Sequence, residues 1–217
     1  KDNTLSSTTA DQSVVYITEK GKTIQNSNIN KVSGDSSKTS DSEFFGVNAA
    51  ILVQGGGLTM TGGTITTNAT GANALCATNN GTVTISGTKI TSTAQSSGRG
   101  LHATYGGEIT ASNVEISSTG GSCANLATDR GEGTVTCSEC ILSTSGSGSP
   151  LIYSTGTITV SKTTGTATGA QAVVVEGKNT ATIKDSKLKC NAMPNRNDVD
   201  KCGVMLYQSQ SGDAGEG

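Results

Sequence analysis

Nine residues with the same order of hydrophobic and polar positions recur seven times along the chain. Apolar residues occupy the first, third and eighth positions of most copies, and polar residues lie between them. The copies are KTIQNSNIN from Lys22, LTMTGGTIT from Leu58, VTISGTKIT from Val83, ITASNVEIS from Ile109, VTCSECILS from Val135, ITVSKTTGT from Ile158 and ATIKDSKLK from Ala181. Such self-similarity predicts one structural repeat for each copy.

A short apolar run precedes each copy, as in AAILVQ, PLIYST and AVVVEG. Apolar runs of this length, between glycine-rich turns, are typical of buried strands. The nine-residue copy supplies two more strands. Three short strands per repeat predict an all-β fold, a parallel β-helix of about eight coils. One coil buries too little surface to be stable, so neighbouring coils must stack, about 4.8 Å apart.

The second position of the repeat is threonine in every copy. Period-two alternation places this column on the outer face of a strand, because apolar columns flank it on both sides. The column consists of Thr23, Thr59, Thr84, Thr110, Thr136, Thr159 and Thr182. A second, partial column two residues earlier contains Thr82, Thr134, Thr157 and Thr180, and Gly21, Gly57 and Glu108 interrupt it.

The repeat also defines the domain organisation. Residues 1–217 form one β-helix domain, with a polar loop insertion at 31–43 and a loop at 190–202. The last residues, GDAGEG, contain no capping pattern. We therefore expect a piece of a longer protein, or an open sheet edge that stacks on another copy.

Composition narrows the range of partners. Apolar residues make up 32% of the chain and aromatic residues 3%, so the core must be built from thin layers of small side chains. The net charge of −2 gives no electrostatic reason to expect nucleic acid as a partner. No segment has the length and hydrophobicity of a membrane span.

The six cysteines fit no zinc pattern, because Cys137 and Cys140 have neither a second CxxC nor a histidine pair beside them. A local disulfide between these two is sterically feasible, and the pairing of Cys76 and Cys123 stays open. Cys190 and Cys202 bracket a polar loop and are predicted to form a disulfide, which favours an extracellular or cell-surface location. Asn68 and Asn80 begin glycosylation sequons.

Several stretches are similar to those of known β-helix proteins, among them GRGLHATYGG, ATDRGEGTVT, SPLIYSTGTITV and GVMLYQSQSGDAGEG. They resemble secreted bacterial and protist β-helix repeat proteins, which are described as adhesin-like or pectin-lyase-like. The resemblance extends from about Ser13 onward and implies a right-handed coil. It implies little about activity, since one fold carries many functions.

A polysaccharide lyase or hydrolase needs clustered carboxylates with a basic partner, and the chain has only three arginines and one histidine. His102 aligns with Tyr16, Leu52, Cys76, Leu126, Ile152, Val174 and Leu206 and is therefore interpreted as a packed or edge residue. The densest charged stretch is TDRGEG, expected one coil from Glu108 and one from the turn VEGKN. Its carboxylates are conceivable ligands of Ca²⁺, but no metal or other cofactor is predicted. Glu115 is expected to pair with Lys89 across strands.

The sequence thus favours a non-catalytic extracellular module, structural or adhesive, with glycans or other surface and matrix proteins as partners. The residues expected to contact a ligand are Tyr105, Asp129, Arg130 and Glu132, because they combine an aromatic ring with both charge signs. The first alternative is ice binding through the threonine column, similar to the flat face of insect β-helical antifreeze proteins. The second alternative is a polysaccharide lyase or hydrolase.

Overall fold

The computed structural model describes residues 3–191 and 203–208 and contains three parallel sheets. Sheet A consists of β1 (Thr4–Ser7), β4 (Asn28–Lys31), β7 (Thr64–Thr67), β10 (Lys89–Ser92), β13 (Glu115–Ser118), β16 (Ile141–Thr144), β19 (Thr164–Ala167) and β22 (Lys187–Cys190). Sheet B consists of β2 (Val15–Ile17), β5 (Ile51–Gln54), β8 (Leu75–Thr78), β11 (Leu101–Ala103), β14 (Leu126–Thr128), β17 (Ile152–Ser154), β20 (Val173–Glu176) and β23 (Val204–Tyr207). Sheet C consists of β3 (Lys22–Gln25), β6 (Gly57–Thr61), β9 (Thr82–Ser86), β12 (Glu108–Ser112), β15 (Thr134–Ser138), β18 (Thr157–Ser161) and β21 (Thr180–Lys184).

Neighbouring strands in each sheet are three positions apart in the chain, so the chain coils through sheets B, C and A in turn. The described residues form seven complete three-strand turns, with β1 before them and β23 after them. The predicted solenoid is therefore confirmed, at about seven turns rather than eight. The eighth apolar run of the sequence forms β23, which begins another turn that the described residues do not complete.

The predicted apolar columns point into the solenoid. Ile65, Ile90 and Ile116 stack on one another along sheet A, and all three are fully buried. In sheet C, Met60, Ile85 and Cys137 belong to one inward column. Because identical positions repeat in each turn, the same small set of side chains fills every layer of the core.

The seven predicted threonines lie in register on the outer face of sheet C. They are exposed or half-exposed, which confirms the predicted direction of this column. A further outward column beside it consists of Gln25, Thr61, Ser86, Ser112, Ser138, Ser161 and Lys184. Glu108 stands between Thr82 and Thr134 in the partial column, as the sequence predicts.

Cys137 and Cys140 form a disulfide across the bend between β15 and β16. Both are buried, so this link joins the inner face of sheet C to the turn that leads into sheet A. Cys190 ends β22 and is partly buried. Its predicted partner, Cys202, lies outside the described residues, so that pairing stays a prediction.

The sequence predicted a loop for the whole insertion at 31–43, but the structure shows the end of a strand and most of a helix in this segment. Lys31 belongs to β4 and is fully buried, with its ammonium group bonded to the carbonyl oxygens of Thr9 and Gln12. The segment then forms helix α1 (Thr39–Phe45), which ends at Gly46 with a left-handed φ of 72°. A seven-residue helix is too short to be stable alone in water, so its packing on the solenoid must stabilise it.

Candidate functional site

The outer face of sheet B carries a column of side chains that the strand register defines. It runs through Tyr16, Leu52, Cys76, His102, Ala127, Tyr153, Val174 and Met205. The sequence alignment had placed Leu126, Ile152 and Leu206 here, and these three are wrong by one residue. A slip of one residue exchanges the two faces of a strand, so Ile152 faces the core and Tyr153 faces outward.

Helix α1 packs across the middle of this face. The side-chain amide of Asn73 donates to the Ser42 carbonyl at 2.8 Å, and His102 Nε2 bonds to the Glu43 carbonyl at 2.8 Å. The Phe45 ring stacks on the Tyr105 ring with centroids 5.4 Å apart. The Arg130 guanidinium lies over the Phe44 ring at 4.3 Å from its centroid, a cation–π contact. These contacts supply partners for carbonyls that a helix end otherwise leaves unbonded.

The side chains of His102 and Cys76, under the helix, are both uncharged near neutral pH. His102 is fully buried, and burial, followed by the nearby Arg99 charge, lowers its pKa well below the usual range. Because a carbonyl only accepts, His102 Nε2 carries the proton and the imidazole is neutral. Burial also raises the pKa of the neighbouring Cys76 thiol to about 12, so the nucleophilic thiolate is scarcely populated near neutral pH.

Arg99 lies immediately before β11 and is the centre of a buried charged group. Its Nη2 is 3.2 Å from Asp129 Oδ2 and 3.6 Å from Glu43 Oε1. The side chains of Arg99 and Asp129 are 8% and 9% exposed. Ser97 Oγ donates to the same Glu43 oxygen at 3.0 Å. The charge of one guanidinium is thus shared between a carboxylate of the solenoid and a carboxylate of helix α1.

A second polar group lies farther along the same face. Glu176 is buried, and its Oε2 accepts hydrogen bonds from the Tyr153 hydroxyl at 2.5 Å and from the Tyr207 hydroxyl at 2.8 Å. Burial and the Glu176 contact raise the pKa of both phenols, that of Tyr207 to about 12. Both hydroxyls therefore keep their protons at neutral pH, and both rings are held in fixed orientations.

The four residues predicted to contact a ligand have different surroundings. Tyr105 and Arg130 contact the phenylalanines of helix α1, Asp129 pairs with Arg99, and Glu132 is exposed in the following turn. Glu176 lies two coils from Asp129, not one, because β17 separates β14 from β20.

Two other sequence predictions concern the surface. The expected cross-strand pair is confirmed, with Lys89 Nζ 2.8 Å from Glu115 Oε1. Asn68 and Asn80 are both exposed, and their glycosylation stays a prediction. Within the described ranges, no group of three or more histidine, cysteine or acidic side chains is close enough to hold a metal ion. The same residues include no helix that is long and apolar enough to cross a membrane.

Glu43, Arg99 and Tyr153 are the residues of this face that sequence reasoning did not single out as a site. Arg99 gave no signal, because its partners are 30 and 56 positions away in the chain. Tyr153 did give a signal. In PLIYST its ring carries a polar hydroxyl among apolar neighbours, which favours an outward position for this residue in the strand.

The arrangement of three parallel sheets around a layered core defines the molecule as a parallel β-solenoid. Residues 49–213 match the family model described as right handed beta helix region, so the chain belongs to this family. The right-handed coil expected from the resemblance is confirmed by this match. Comparison with curated proteins gives no match. Comparison with solved structures gives none either.

Proposed function

We propose that this protein is a non-catalytic extracellular or cell-surface rod that contacts glycans through the outer face of sheet B. One observation carries the proposal. All six aromatic side chains of the chain lie on this face or on the helix that covers it: Tyr16, Phe44, Phe45, Tyr105, Tyr153 and Tyr207. Aromatic rings combined with a few fixed polar groups are typical of sites that bind small polar molecules.

The non-catalytic part of the proposal is supported by how the ionisable groups are engaged. His102 and Cys76 are covered by helix α1 and uncharged, and Glu176 is bonded by two tyrosines. Arg99 is held by Asp129 and Glu43. General acid–base catalysis needs a proton-transferring group within reach of the substrate, and these groups are instead committed to contacts inside the protein.

We expect the purified protein to bind a subset of glycans on an array and to release no products from them. The variant Thr84→Lys, which alters only the outer face of sheet C, should bind the same glycans equally well. Reducing ends and the ultraviolet absorbance of unsaturated sugars would report any cleavage. Binding to no glycan would refute the glycan contact, and release of either product would refute the non-catalytic assignment.

Ice binding is a second candidate, favoured by the seven threonines in register on sheet C. Their hydroxyl groups repeat about every 4.8 Å between coils, and the neighbouring outward column that includes Ser86, Ser112 and Ser138 widens this polar face. Glu108 opposes this function, because a charge on the face disturbs ordered water. If sheet C binds ice, Glu108→Thr should increase thermal hysteresis and Thr84→Lys should abolish it. Rounded, unfaceted crystals with both the unmodified protein and Glu108→Thr would eliminate this candidate.

A further inference from the structure

A small cavity opens on the outer face of sheet B, next to helix α1. It has a volume of about 220 Å³ and is lined by Glu43, Arg99, Ser122, Ala124, Gly148, Pro150 and Tyr153. The chain segments that precede β11, β14 and β17 each contribute to it, so three consecutive coils form one concave surface. Sites for drug-sized ligands usually enclose about 300–1,000 Å³, so this cavity suits a smaller ligand.

The walls of the cavity differ in chemistry. Tyr153 and Pro150 provide apolar surface, and the Tyr153 ring cannot turn freely because its hydroxyl is bonded to Glu176. Glu43 provides a carboxylate whose side chain is 26% exposed. Arg99 also lines the cavity, but its Nη1 is buried and has no hydrogen-bond partner among the described residues, so it contributes positive charge rather than an accessible donor.

The charge balance argues against an acidic ligand. One guanidinium faces two carboxylates, Asp129 and Glu43, and a third carboxylate, Glu176, is bonded to Tyr153. A ligand that brought another negative charge would be repelled by Glu43, which is more exposed than the guanidinium that it faces. A neutral ligand with hydroxyl groups fits better, because a hydroxyl group can donate to the exposed oxygens of Glu43.

We propose that this cavity binds one neutral sugar residue of a glycan. Its apolar C–H face packs on the Tyr153 ring, and its hydroxyl groups donate to the partly exposed Glu43 carboxylate. The cavity has room for a single residue, so a terminal sugar or a short branch would enter it. The inference rests on the proposed glycan contact and adds to it the position of the site and the chemical class of the sugar.

The test is a titration of the isotope-labelled protein with methyl glycosides of neutral hexoses, followed by NMR. We expect the amide signals of Ser122, Gly148 and Tyr153 to shift, and Tyr153→Ala to weaken binding about three- to tenfold or more. Tyr153→Phe keeps the ring but loses the bond to Glu176, so it should weaken binding less than Tyr153→Ala. Thr84→Lys, on the outer face of sheet C, serves as the control and should bind normally.

The outcomes separate this inference from the proposed function. Glycan binding on the array without shifts at Ser122, Gly148 and Tyr153 would overturn the cavity as the site and leave the glycan contact standing. Preference for methyl uronates over neutral glycosides would overturn the sugar class alone. Failure of every glycan to bind would overturn both. The shifts are read on the unmodified protein, so they decide the question even if Tyr153→Ala does not fold.

Discussion

Replacing Arg99 with methionine is expected to lower the free energy of unfolding by about 3–5 kcal/mol. The guanidinium is a charged partner of Asp129, whose side chain is only 9% exposed, and it also contacts Glu43 of helix α1. Methionine fills a similar space but removes the buried guanidinium that both carboxylates face. Equilibrium urea unfolding, followed by circular dichroism, measures the loss.

The matched control for this prediction is the double variant Arg99→Met with Asp129→Asn. Asparagine keeps the shape of the aspartate and removes its charge, so the double variant should recover part of the lost stability. A double-mutant cycle gives the coupling between the two side chains. Losses that simply add, with no coupling, would contradict the stabilising role of this ion pair.

Ile90→Ala is expected to lower the free energy of unfolding by about 2–5 kcal/mol. Ile90 is fully buried between Ile65 of the preceding turn and Ile116 of the following turn. Truncation leaves a cavity that neighbouring coils cannot easily close, because each coil is held in register by its strand pairing. Urea unfolding again measures the change.

Thr84→Ala is the matched control for Ile90→Ala, since it removes atoms from the outer face of the preceding strand in the same coil. Its effect should stay within about 0.5 kcal/mol. A loss as large as that of Ile90→Ala would mean that the threonine column is packed rather than exposed. Similar small effects for both variants would contradict the inward direction of the isoleucine column.

The repeat made the direction of whole columns predictable. In sheet C, Thr59, Thr84 and Thr110 alternate with apolar residues, and apart from Lys22 at the start of the first copy all seven copies agree on one phase. Each copy on its own is a weak signal, and their agreement is a strong one. The inward position of Ile90 and the outward position of Thr84 follow from the same alternation.

The register of sheet B was less predictable, because apolar residues occupy both faces of its strands. In PLIYST, the neighbours Leu151 and Ile152 are both fully buried. Alternation therefore does not show which residues of this strand face the core, and the sequence alignment placed Ile152 where Tyr153 lies. This slip concealed the tyrosine that lines the proposed sugar site.

Helix α1 and the charged group beneath it could not be derived from local patterns. The helix is seven residues long, in a segment whose composition is typical of a loop, and its stability comes from contacts with Asn73, His102 and Tyr105. These contacts join residues 31 to 60 positions apart in the chain. No short-range pattern encodes them.

The solenoid, its three strands per turn, the inward columns and the threonine face were predictable from the chain alone, because these features depend on alternation that each coil repeats. What covers sheet B, and which side chains meet there, is seen only in the folded molecule. Glu43, Arg99 and Asp129 belong to different coils and to an insertion without a repeat, so their contact depends on the stacking of the coils and the packing of helix α1. Interactions that occur once in a molecule leave no periodic trace in its sequence.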